Sequence, residues 1–144
     1  MVSNPPLRIL IDLNVILDVL AQRQPHDADA HRLWAAIESG QVQGFVAAHS
    51  LTTLFYLLRR HTSQAQARAA LVDVLHVFSV AAVDQAVIQA AMALAWPDFE
   101  DAVQMAAAAQ CNAVYVITRN LEDFKNGPVP VLTAPNFLAV LETG

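Results

Sequence analysis

Three groups of acidic residues lie far apart in this chain, each where a fold could carry it to a common edge. Asp12 closes the apolar run Leu7-Arg8-Ile9-Leu10-Ile11 and opens the segment Asp12-Leu13-Asn14-Val15-Ile16-Leu17-Asp18. Asp98-Phe99-Glu100-Asp101 heads a helical stretch, and Asn120-Leu121-Glu122-Asp123 follows a second apolar run, Tyr115-Val116-Ile117-Thr118. Short apolar runs read as buried strands of a parallel sheet. Open α/β sheets take their ligands just beyond the carboxyl ends of such strands. Carboxylates gathered there would hold a hard divalent cation, Mg²⁺ or Mn²⁺, and such a site serves phosphate chemistry.

Each group also has a plainer reading. Asp98 is a good helix N-cap, and acids in a first turn complement the helix dipole. Yet three acids within four residues repel one another, and Asp98 and Asp101, three apart, can face the same way at a helix start. Asp12 could simply cap the next helix, although Asn14 lies closer to the apparent helix start and could do so instead. Asp18 is expected to face solvent or to pair with a nearby arginine such as Arg23. Asn120 and Asp123 suit an ordinary turn.

The elements that must position these residues follow from hydrophobic period and caps. Strands are predicted at 8–12, 44–48, 76–80, 114–118 and 129–132. Helices are predicted at 14–21, 27–39 (with Gly40 as the stop), 51–60, 64–75, 85–95, 99–110 and 136–141. Asp27, Ser50, Ser63, Asp84 and Asp98 are the predicted caps of five of them. Strands alternating with helices imply an α/β class, a three-layer α/β/α sandwich around a mainly parallel sheet of four or five strands. The 144 residues suit a single domain, 1–144, with a full core.

Composition narrows the chemistry. Hydrophobic residues make up 56% and the formal net charge is −5, with a pI near 5.3. That opposes broad electrostatic binding of nucleic acid, but not a nuclease whose acidic site is reversed in sign by bound metal. One cysteine, Cys111, leaves no intrachain disulfide and fits a reducing compartment. The opening residues 1–6 lack a signal-peptide pattern, and no apolar stretch is long enough to span a bilayer, so a cytoplasmic location with no membrane contact is expected. The mean hydropathy of +0.39 hints at an apolar surface covered by a partner. Phosphate-binding glycine loops and a G-x-S-x-G elbow are absent from the sequence. The five histidines form no metal-binding pair, Cys111 reads as a packed thiol, and Trp34 and Trp96 read as core or interface anchors.

Taken in order and spacing, these segments resemble the PIN domain, the fold of VapC-type toxins and related ribonucleases. Residues 9–18 resemble its opening strand and D-x-N-V motif. Residues 98–104 resemble its D-A-[LV] helix start, and residues 116–124 its strand followed by T-R-[DN]. The resemblance implies that Asp12 and Asp101 are metal ligands and catalytic acids. Asp98, Glu100 and Asp123 are helpers, and Asn120 stands where the family often has a further acid. Thr118 would hydrogen-bond a ligand carboxylate or the attacking water, and Asn14 would fix the loop that presents Asp12. Thr53 occupies a position where the family usually carries a glutamate, a departure that removes one negative charge; Asn120 removes another.

By the same resemblance the chain would be an endoribonuclease, the toxin of a type II toxin–antitoxin pair, with Mg²⁺ or Mn²⁺ acidifying the water that attacks single-stranded or looped RNA. Arg59, Arg60 and Arg119 are candidates to steer phosphates, or else ordinary surface charges. Expected partners are the RNA substrate, an antitoxin protein and a second copy of the chain. The rival expectation is a PIN-like module with a weak or inactive site that binds a protein or RNA without cutting. A haloacid-dehalogenase-type phosphatase ranks lower, because Asn14 occupies the place of its second aspartate.

Overall fold

The computed structural model describes residues 5–143. Five strands form one sheet: β1 (Arg8–Ile11), β2 (Gln43–Ala47), β3 (Ser79–Ala81), β4 (Tyr115–Ile117) and β5 (Val131–Leu132). Every pairing is parallel, and the order across the sheet is β3-β2-β1-β4-β5. The chain therefore winds outward from β1 through β2 to β3, then returns to the other side of β1 to lay down β4. The gap between the carboxyl ends of β1 and β4 is the point where the winding reverses, the place where open parallel sheets form their ligand crevice.

Side-chain alternation sorts the core. Ile9 and Ile11 pack on one face against helices α1 (Leu13–Leu20), α2 (Asp27–Glu38), α3 (Ala48–His61), α4 (Gln64–Val77) and α7 (Ala134–Thr143). Leu10, Phe45 and Val116 face the opposite layer, α5 (Gln85–Leu94) and α6 (Phe99–Gln110). Helices on both sides of a parallel sheet make the expected three layers. Trp34 meets Phe78 edge-on at 5.0 Å, and Trp96 meets Phe124 at 6.0 Å, so both indoles anchor core.

Local chemistry explains three of the helix starts. Ser63, Asp84 and Asp98 each accept a backbone N–H three residues on, from Gln66, Val87 and Asp101 respectively. Ser50 does not cap. α3 begins at Ala48, directly off β2, and Ser50 lies inside its first turn, fully buried. Asn14 does not cap either; α1 starts at Leu13, and the Asn14 Oδ1 accepts a 3.5 Å hydrogen bond from Arg23. The third strand is shifted from 76–80 to Ser79–Ala81 because α4 runs on to Val77, keeping Ala67 and Val74 buried on one stripe.

Asp18 departs furthest from expectation. It is 1% exposed rather than solvated, and its carboxylate accepts two hydrogen bonds from Arg119, at 2.8 and 3.1 Å, with Arg23 farther off at 4.0 Å. A helix of 3.6 residues per turn puts Asp18 beneath Val15 and Asn14, on a face turned partly inward. A buried carboxylate must be paired, and Arg119 supplies a planar fork that matches it. Removing the partner should therefore be costly. We predict that Asp18→Ala lowers unfolding stability by about 2–3 kcal/mol, somewhat less than for a wholly buried pair because Arg119 reaches water. Urea titration of the single and double variants (with Arg119→Ala) measures it, and a loss for Asp18→Ala below about 0.5 kcal/mol would contradict the pairing.

Candidate active site

Asp12 sits in the crevice between β1 and β4. The alternation that turns Leu10 toward the α6 layer turns Asp12 the same way, and Thr118 continues the parity of Val116. Backbone pairing runs past both strand ends: the Asp12 N–H donates to the Ile117 carbonyl at 2.9 Å, and the Thr118 N–H to the Leu132 carbonyl at 3.0 Å. Asp12 is only 2% exposed. Its two carboxylate oxygens are separately held. The Thr118 hydroxyl donates to Oδ2 at 2.9 Å, and the Gln104 amide donates to Oδ1 at 3.1 Å. Thr118 Oγ1 in turn accepts the Asn120 N–H at 3.0 Å, which ties the following loop to the same point.

Asp101 approaches from the first turn of α6. Its backbone N–H is taken by the Asp98 cap at 3.0 Å, and its Oδ1 lies 3.5 Å from the same Gln104 amide that holds Asp12. The two aspartates, 89 positions apart, thus share one donor. Glu100 is half-buried, and its backbone carbonyl accepts from His49 Nε2 at 3.1 Å, joining the α6 start to α3. A carbonyl can only accept, so the proton is on Nε2. His49 Nδ1 and Ser50 Oγ, both buried beside this junction, have no partner among the described residues.

Electrostatics marks the cluster. Burial raises the Asp101 carboxyl, and repulsion from Asp98, Asp12, Asp123 and Glu100 adds to it, carrying it up to about 7. Burial also raises Asp12, against the opposing pull of hydrogen bonds from Gln104 and Thr118, the Asn14 backbone N–H and the charge of Arg119. A group of carboxyls that resist joint ionisation is relieved by a cation.

Of the residues singled out from sequence, Asp12 and Thr118 are joined by a direct hydrogen bond, as are Asp98 and Asp101, and Gln104 links the two pairs. Asp123 and Glu100 are near enough to raise Asp101. The Asn120 side chain is exposed and makes no hydrogen bond among the described residues, although its backbone joins the network. Thr53 is half-buried on α3 with no such bond either. Arg119 is bound to Asp18 on the opposite face. The Asn14 side chain holds Arg23, while its backbone N–H bonds the Asp12 carboxylate. Gln104 went unnoticed in the sequence. Its spacing, three residues after Asp101 on a helix, was the available signal, since that interval faces the same side.

The donor set fits a hard divalent cation bound partly through water. Among the described residues no three His, Cys, Asp or Glu side chains form a ready-made cage. Mg²⁺ commonly takes only one or two carboxylates and keeps several waters. Two oxygen-only ligands at a crevice suit it.

The sequence profile of the PIN domain matches residues 8–122. The chain belongs to the PIN-domain family. No curated protein matches it in sequence. Similar solved structures include the Mycobacterium tuberculosis toxin VapC20, described as a Sarcin-Ricin loop cleaving toxin. It is 21% identical with TM-score 0.62, over 75% of this chain and 86% of that one. A toxin–antitoxin complex from Klebsiella pneumoniae is 22% identical with TM-score 0.67, over 88% and 97%. VapBC2 from Rickettsia felis, bound to a promoter DNA fragment, is 13% identical with TM-score 0.71, over 88% and 98%. Identities this low support the PIN fold and leave activity to be argued from the site.

The raised Asp101 carboxyl has a consequence for stability. A carboxyl of ordinary pKa in the unfolded chain, 3.8, that titrates near 7 when folded makes the native state bind the extra proton. Stability of the cation-free protein should therefore fall as pH rises from about 4 to about 7 and level off above that. Asp101→Asn should flatten this slope. Thermal unfolding across pH 4–8 in chelator checks it; an identical slope in the variant would contradict the assignment.

Proposed function

We propose that this PIN-domain protein is an endoribonuclease that hydrolyses single-stranded or looped RNA with the help of Mg²⁺ or Mn²⁺, and that it is the toxin of a toxin–antitoxin pair. The observation that carries the reading is the convergence of the buried Asp12 and the α6 carboxylate of Asp101 on one amide at the crevice of the sheet. Membership of the PIN family and the likeness to VapC-type structures support it.

In this reading Asp12 and Asp101 would hold the cation, and Asp98, Glu100, Asp123 and Asn120 would contribute charge or polar atoms around it. A divalent cation held there would supply neutralisation of phosphate charge and a more acidic water. The protein's own groups do the rest. Thr118 and Gln104 keep the Asp12 oxygens in a fixed orientation. The N-terminus of α6 presents the positive end of the helix toward the crevice, where a phosphate would lie. Arg59 and Arg60, exposed at the far end of α3 and without a carboxylate partner among the described residues, are the basic pair we assign to steering of a longer RNA tail. Arg119 is occupied by Asp18 and is better read as the clamp that holds the β4 loop to α1.

The apolar side chains of Tyr56, Val72, Leu75 and Met92, each more than half exposed, support covered surfaces on α3, α4 and α5. We assign them to an antitoxin and to a second copy of the chain. Among the described residues no helix is long and apolar enough to cross a membrane. We read the whole chain, 1–144, as one domain acting in the cytoplasm. The neutral Thr53 and Asn120 favour a second reading, a PIN module that binds RNA or a protein without cleaving.

One variant separates the two. Asp12→Asn keeps the shape of the side chain and removes its charge. Cation-dependent cleavage of single-stranded RNA should fall by about 100-fold or more, with the far-UV circular dichroism spectrum unchanged. Wild-type protein that binds Mn²⁺ undetectably in calorimetry and leaves RNA intact would instead support the binding module.

A further inference from the structure

Gln104 is 1% exposed on a helix whose other inward residues are apolar, Ala102, Val103, Met105 and Ala106 among them. An amide buried among alanines has lost its water and must replace every hydrogen bond it gave up. It does so with three partners. The Leu13 backbone N–H donates to Oε1 at 3.2 Å, and Nε2 donates to Asp12 Oδ1 at 3.1 Å and reaches Asp101 Oδ1 at 3.5 Å. The orientation is forced. A backbone N–H only donates, so the amide oxygen must face Leu13, and the NH₂ group must then face the carboxylates. Leu13 carries the first N–H of α1, one of those left without a partner inside the helix. The same amide therefore joins the start of α1 to α6.

We propose that Gln104 is a positioning residue for the reaction, its amide fixing the separation and facing of Asp12 and Asp101 so that a divalent cation meets two carboxylates already aimed at it. The inference rests on the nuclease reading through that cation. The residue type suits the task. A lysine would neutralise the pair and compete with the ion, and a glutamate would add a further like charge. An asparagine is a methylene too short to serve Leu13 and both aspartates from the same backbone site. The amide donates to both without altering the charge available to the cation.

The test uses the full chain stripped of divalent ions. Gln104→Met keeps length and approximate volume and removes both donors. Mn²⁺ affinity, measured by calorimetry without RNA, should weaken by about 10–100-fold, the range seen when groups that orient metal ligands are lost. For single-stranded RNA, kcat should fall while KM holds. A Gln104→Met protein with a lowered Tm but wild-type Mn²⁺ affinity would show that the side chain only fills space, and would overturn the proposal. A measurement on wild-type protein guards against a variant that fails to fold. In ¹⁵N-labelled protein titrated with Mg²⁺, the Gln104 side-chain NH₂ signals should move with the same midpoint as the backbone amides of Asp12 and Asp101. Stationary Gln104 signals while those amides move would also overturn it. If neither Mn²⁺ nor Mg²⁺ binds the wild type, the nuclease reading itself falls, a result distinct from either of the others.

Discussion

A carboxylate that is 2% exposed can stay in a folded protein only if both of its oxygens are compensated, and the arrangement around Asp12 follows from that requirement. Thr118 at the end of β4 serves one oxygen and Gln104 on α6 serves the other. These donors come from opposite sides of the crevice, so satisfying Asp12 fixes β1, β4 and α6 relative to one another. The reversed winding of the sheet makes this possible. Had β4 been added beyond β3, β1 would be the edge strand and Asp12 would have no strand end beside it to supply Thr118.

The adjacent residue shows the same constraint on the other face. Thr118 points to the α6 layer, so Arg119 points away from it, toward α1, where it meets the buried Asp18. Two successive side chains of one strand end thus satisfy two buried aspartates in opposite layers. The division has an electrostatic consequence. Asp18 is neutralised by a permanent cation and is spent structurally. Asp12 and Asp101 share only a neutral amide, and together with Asp98, Glu100 and Asp123 they remain a concentration of negative charge. Burial raises Asp101 most, and the repulsion within this group adds to it. In the proposed reading, this is the group that a divalent ion would neutralise.

Much of this was readable before any coordinates. Apolar runs gave the strands because a buried parallel strand leaves no polar face. Ser63, Asp84 and Asp98 were legible as caps because capping is local chemistry. The resemblance of residues 9–18, 98–104 and 116–124 to the PIN domain carried over to the fold and the family. What sequence hid was long-range. Whether Asp18 faces water depends on where Arg119 lands, 101 residues later. Ser50 looked like a cap because hydroxyls often are, yet α3 grows directly from β2 and draws it into the interior. Gln104 looked like one more polar residue of an alanine-rich helix, and only the position of β1 against α6 turns it into a shared donor.

The central claim is that Asp12 and Asp101 enclose the site of a divalent cation, and anomalous diffraction from crystals soaked in Mn²⁺ addresses it most directly. The account predicts one strong peak between the two carboxylates, within about 2.1–2.3 Å of an oxygen of each, with water filling the remaining positions. A crystal in which manganese orders only elsewhere, with the carboxylates of residues 12 and 101 turned away from one another, would contradict it.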